Sequence, residues 1–137
     1  MKKFLSLQSN KFDMEKGKKE AKMLADLAVS AIQDKLGKDI VLIDFDRTKG
    51  SLFDYYVICT ANSPSHADTL AEAIRERISK VMDIRPHKTE GLQNCSWILL
   101  DYFDVIVHIF LPEERAFYHI ENMWKDVKQI HYDDVQH

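Results

Sequence analysis

Asp44 and Asp46 form a D-x-D pair at the end of an apolar run. Along a strand, period two puts both carboxylates on one side, as a two-carboxylate magnesium site needs. The chemistry of such a site would be nucleotidyl or phosphoryl transfer. That chemistry also calls for a glycine-rich loop or basic residues to hold a triphosphate. Neither G-x-x-x-x-G-K-S/T nor G-x-G-x-x-G occurs, and the chain has only 4 glycines. The pair is therefore read first as loop capping and solvation, with a metal-dependent transferase as the alternative.

The other nucleophiles and ligands point away from catalysis. His66, His87, His108, His119, His131 and His137 include no H-E-x-x-H pair, and no G-x-S-x-G elbow exists for a serine nucleophile. Ser63 and His66 share one turn, where a helix cap is the simpler reading. His66 and His108 read as hydrogen-bonded structural groups. Cys59 and Cys95 lie far apart without a C-x-x-C, the pattern of reduced thiols. No cofactor is expected.

The aromatic residues are more informative. On strand alternation Trp97, Leu99 and Asp101 share one face, and Ile98, Leu100 and Tyr102 the other. Tyr102 and Phe103 then sit at a hairpin tip beside Asp101 and Asp104. Turns favour Gly, Asn and Asp, so aromatic groups rimmed by acids there resemble a protein-binding hot spot.

These residues need a scaffold. The 137 residues suggest one domain, with 45% apolar and 30% charged residues, too apolar for disorder. No run approaches the roughly 18 apolar residues of a membrane span. The apolar run in the opening MKKFLSLQSN is too short for a signal peptide, so a cytoplasmic protein is expected. Residues 1–38 carry 9 basic and 5 acidic groups, net +4, and residues 39–137 carry 10 and 17, net −7. An acidic body suits a basic protein partner better than duplex nucleic acid.

Residues 1–17 lack periodicity and are expected to form a flexible tail. From Lys18, apolar residues recur at helical spacing to Leu36, and Gly37 fits a C′ stop. Ile40 to Ile43 and Tyr55 to Thr60 read as strands. Ser63 and Pro64 open a second helix with Ala67, Leu70, Ala71, Ile74 and Ile78 as its buried stripe. That helix is a crossover, so the strands it joins run parallel. Pro86 confines Arg85 to Glu90 to a short or edge strand. Trp97–Leu100 and Val105–Leu111 form a hairpin, apolar on both faces and so central in a covered sheet. Pro112 opens a third helix with Phe117, Ile120, Trp124 and Val127 as its stripe. The domain spans 18–128, and 129–137 is a polar tail. The fold class is α/β, one domain with a mixed five-stranded sheet packed with helices.

Read together, the motifs carry a resemblance. Asp54-Tyr55-Tyr56-Val57-Ile58-Cys59-Thr60-Ala61-Asn62-Ser63, followed by His66, resembles the D-Y-F-V-I-x-T-G-N-S-x-x-H segment of the ribosomal silencing factor, or Iojap-like, family. Glu90-Gly91, Trp97 through Tyr102, Asp104 through Phe110, and Arg115-Ala116-Phe117-Tyr118 through Trp124 match as well. The chain departs at Ala61 and Phe103, where the family usually has Gly. In a left-handed conformation Phe103 would cost roughly 1–2 kcal/mol.

The resemblance implies a nucleotidyltransferase-like topology without the catalytic motifs. It implies binding to the large ribosomal subunit at its fourteenth protein, which blocks small-subunit joining and represses translation under nutrient limitation. Homodimers also occur in the family. On this reading Trp97 and Tyr102 are anchors, Asp101 and Asp104 charge partners, and Glu90 and His108 secondary contacts. A plain homodimeric interaction module is a further alternative.

Overall fold

The computed structural model describes residues 2–136, with side chains from residue 15 onward. Helix α1 spans Lys2–Asp34, starting well before the Lys18 that periodicity predicts. Lys2, Lys3, Leu5, Leu7 and Gln8 are good helix formers, no proline interrupts the run, and an interior Gly17 costs only about 1 kcal/mol. The flexible-tail expectation for residues 1–17 thus meets a helical backbone; Met1 and the side chains through residue 14 lie outside the described residues. Ala21, Leu24, Ala25, Ala28, Ala31 and Ile32 form the buried stripe of α1. The helix closes with Leu36, not Gly37, in the left-handed conformation (φ 62°). Leu36 N–H donates to Gln33 O and Gly37 N–H to Ile32 O, the paired bonds of a Schellman closure. Gly37 is required for space: a Cβ there would lie 2.3 Å from Ile32 Cγ2.

Strands β1 (Lys38–Asp44) and β2 (Tyr55–Thr60) follow, then α2 (Pro64–Met82). The predicted start of α2 is observed. Ser63 Oγ accepts the His66 N–H, Pro64 lies in the first turn, and the five expected residues are buried. The short strand β3 (Lys88–Glu90) precedes the hairpin of β4 (Trp97–Asp101) and β5 (Val105–Phe110). Helix α3 (Pro112–Tyr118), a 3-10 segment Ile120–Trp124 and strand β6 (Lys128–His131) complete the chain.

The sheet has six strands in the order β3-β4-β5-β2-β1-β6, not five. β6 overlaps the stretch 129–137 expected to be a polar tail, pairing antiparallel to the free edge of β1 with Ile130 opposite Leu42. β2 and β5 pair in parallel and all other neighbours are antiparallel. β3 therefore runs parallel to β2, as the crossover requires, but lies three positions away.

The two faces differ. One carries Leu42, Val57, Cys59, Ile98, Leu100, Val107 and Ile109 and is packed by α1 and α2. The other carries Val41, Ile43, Ile58 and Phe110, packed by Phe45, Ile120, Trp124 and Val127. β5 is buried along its whole length, as predicted. β4 is not: its residues alternate between buried ones in the helix-packed core, Ile98 and Leu100, and half-buried ones on the other face, where Tyr118 of α3 meets Trp97. The expected stripe of the third helix is corrected too. His119 takes a left-handed conformation (φ 44°) and breaks the helix. Ile120 and Trp124 still turn inward, but Phe117 is 81% exposed. No described helix is long and apolar enough to cross a membrane.

Candidate partner-binding face

Register fixes what the half-open face displays, since directly paired residues project to the same side of a sheet. One row reads Glu90, Leu99, His108, Ile58 and Val41; the next reads Lys88, Asp101, Ile106, Tyr56 and Ile43. Trp97 lies opposite Phe110 in a third row. Trp124 and Ile120 cover the β1–β2 half. Over β3 and β4, Trp97, Leu99 and Asp101 stay half-buried, Lys88 and Glu90 are exposed, and His108 and Ile106 form a buried floor.

Trp97 is held on three sides. Its ring stacks on Phe110 with centroids 4.8 Å apart, and Tyr118 packs against it at 4.8 Å. Its indole Nε1–H donates to Nδ1 of His108 at 3.1 Å. Burial lowers the His108 pKa to about 3, so the imidazole is neutral at ordinary pH. Tyr118 and Phe117, 49% and 81% exposed with ring centroids 5.0 Å apart, continue the aromatic surface beyond Trp97, and Met123 is 71% exposed. Sequence reasoning missed all three as surface residues. The available signal was two adjacent aromatics on a short helix, of which one stripe can use only one.

The hairpin tip corrects one anchor. Tyr102 is buried in the core beneath α1 and α2, because alternation places it with Ile98 and Leu100 on the helix-covered side. Its hydroxyl pKa is pushed up to about 12 by burial. Phe103 is the exposed aromatic of the tip (62%) and does take the left-handed conformation, at φ 68°. Asp101 Oδ1 accepts the Phe103 N–H at 2.8 Å, and the Phe103 ring packs on His87 with centroids 4.2 Å apart. His108 is likewise buried under the face rather than displayed on it.

The acids are partly engaged. Asp104 pairs with Arg47, whose Nε also lies 3.2 Å from Asp54 Oδ1. Asp54 is buried, and desolvation raises its pKa against the opposing pull of Arg47. Glu90 pairs with Lys88 at 2.7 Å. Asp101 forms no ion pair among the described residues.

Asp44 and Asp46 serve different partners. Asp44 accepts from Lys18 Nζ at 2.6 Å, and the same ammonium donates to Phe45 O at 2.6 Å. Asp46 Oδ1 accepts the Thr48 N–H at 2.9 Å and the Thr48 hydroxyl at 2.5 Å, which lowers the Asp46 pKa. A cleft of about 840 Å³ adjoins them, lined by Lys18, Arg47, Phe53 and Trp124 among others. Among the described residues no three His, Cys, Asp or Glu side chains gather as metal ligands would. His66 is structural as expected: Nδ1 accepts the Asn62 N–H, and Nε2 bonds Lys35 O, tying α2 to the end of α1. Cys59 is fully buried, its thiol pKa pushed up to about 12 by burial.

The sequence profile of the family described as "Ribosomal silencing factor during starvation" matches residues 18–137. The chain belongs to the ribosomal silencing factor family. It is 30% identical to the ribosomal silencing factor of Halalkalibacterium halodurans, over 82% of this chain and 94% of that protein. It is similar to a crystal structure of a Chromobacterium violaceum protein, with TM-score 0.70 and 31% identity over 75% of this chain and 84% of that one. A mouse protein named for mitochondrial assembly of the ribosomal large subunit is 28% identical over 76% of this chain and 46% of its own length. The side chains of β2, β4 and β5 divide between the helix-packed core and the half-open face.

Proposed function

We propose that this chain is a cytoplasmic, non-catalytic factor that docks on the large ribosomal subunit and obstructs small-subunit joining, repressing translation when nutrients are scarce. The partner within the subunit is its fourteenth protein. The observation that carries the reading is the uncovered half of the sheet: a prepositioned Trp97 beside Leu99 and Asp101, continued by Tyr118 and Phe117. Indole and tyrosine rings on a flat, partly desolvated patch are the usual anchors of a protein interface. The rim acids Asp101, Glu90 and Asp104 raise the on-rate toward a basic partner and fix its orientation. Phe103 replaces Tyr102 as the aromatic of the tip. The relative named for large-subunit assembly supports the same target. The carboxylates of Asp44 and Asp46 act as an ion-pair partner and a turn cap.

A sucrose gradient tests this. The protein is expected to migrate with isolated large subunits and not with joined 70S particles; migration with neither, at micromolar protein, contradicts the reading. A second copy of the chain is the competing occupant, favoured by the exposure of Phe117 and Met123. Sedimentation at several concentrations, with and without large subunits, separates the two.

A further inference from the structure

Trp97 and His108 are diagonal neighbours on β4 and β5, since Trp97 pairs with Phe110 and Leu99 with His108. Diagonal neighbours on one face lie within reach of aromatic side chains. Here they are joined by a hydrogen bond of 3.1 Å from the indole to Nδ1. An indole N–H can only donate, so Nδ1 accepts and the imidazole proton sits on Nε2.

The imidazole is an expensive choice for this position. His108 is 5% exposed, with Ile106 and Phe110 to either side on β5 and the Tyr56 ring 4.7 Å away. An apolar residue would fill the same place without desolvating two ring nitrogens. Nε2 meets no acceptor among the described residues. What the imidazole supplies is the acceptor at Nδ1, and the group that uses it is Trp97. Among the described residues the indole N–H has no other hydrogen-bond partner, and the ring packs against Phe110 below and Tyr118 beside it. Such contacts fix the plane of a ring more strongly than its rotation within that plane. One directional bond fixes the rotation.

We propose that His108 is a positioning residue of the docking face: it locks the Trp97 indole in the orientation that meets the partner, and makes no partner contact of its own. This rests on the ribosomal reading above. Pre-ordering an anchor removes its rotamer entropy from the cost of binding, so loss of the lock weakens association even where every partner contact remains available.

The experiment compares the intact chain with His108→Leu, which removes the acceptor, and His108→Asn, whose amide oxygen restores one near Nδ1. Two readouts are taken: indole N–H exchange by NMR, with the 2 tryptophans told apart using Trp97→Phe, and the Kd for isolated large subunits. His108→Leu is expected to speed Trp97 indole exchange and weaken binding roughly tenfold. His108→Asn is expected to recover most of both, while Trp124 exchange stays constant. Should His108→Leu fail to fold, His108→Phe provides the same comparison with a ring in place. Unchanged Trp97 exchange, or unchanged binding in a variant whose exchange has risen, overturns the proposal. Failure of the intact chain to bind large subunits sinks the ribosomal reading instead, and the exchange data still decide whether His108 holds Trp97.

Discussion

Arg47, in the turn after β1, pairs with Asp104 at the tip of the β4–β5 hairpin, and its Nε lies 3.2 Å from the buried Asp54. One guanidinium thus ties the start of β2 to the tip of the β4–β5 hairpin, at the edge of the proposed docking face. Asp54 N–H also donates to Asp104 O at 2.8 Å, so backbone and side chains make the same connection.

Arg47→Met leaves the Asp54 carboxylate buried without its cation. Arg47 itself is about one-third exposed, which screens the pair. The expected loss is about 1–3 kcal/mol, less than for a fully buried pair. Urea unfolding monitored by circular dichroism measures it. Arg47→Lys, which cannot bridge two carboxylates in a fork, should recover only part.

His108 makes stability depend on acid. Its folded pKa, about 3, lies below the ordinary value of 6.5 because burial disfavours the imidazolium. The unfolded chain therefore binds the extra proton first. The contribution is fully present above pH 6.5 and is lost progressively as the pH falls toward 3. The melting temperature should decline over that window, and His108→Asn should flatten the decline. An equal slope in both proteins would contradict this assignment.

Tyr102 is a core residue at the edge of the site. Tyr102→Ala should lower stability by about 3–5 kcal/mol, the range for emptying a large aromatic site. Its hydroxyl meets no partner among the described residues. Tyr102→Phe should therefore stay within about 1 kcal/mol of the parent and bind large subunits equally well. Denaturation and co-sedimentation on the two variants separate packing from recognition.

Much of the fold was legible in local signals. Ser63 and Pro64 mark the start of α2 because a cap hydroxyl and a first-turn proline meet needs that any helix has. The apolar run of β5 reads as a central strand because both its faces are covered. β6 carried no such signal: Ile130 is the one aliphatic residue among its four, and its partner is the unpaired edge of β1, distant in sequence.

The site was legible by half. Alternation correctly grouped Trp97, Leu99 and Asp101 against Ile98, Leu100 and Tyr102, but periodicity cannot say which group the helices cover. That choice separates the half-open Trp97 from the buried Tyr102. Phe117 misled for a related reason. The turn at His119 resets the helical phase, and no pattern upstream announces it.

The central claim is obstruction by a docked face. Light scattering on mixing the two ribosomal subunits, after preincubating large subunits with saturating protein, tests it most directly. Wild type should slow joining, and Leu99→Asp, which puts a charge at the middle of the half-open face, should restore the uninhibited rate while remaining folded. Joining at full speed with wild type, or equal inhibition by wild type and a folded Leu99→Asp, would contradict the account.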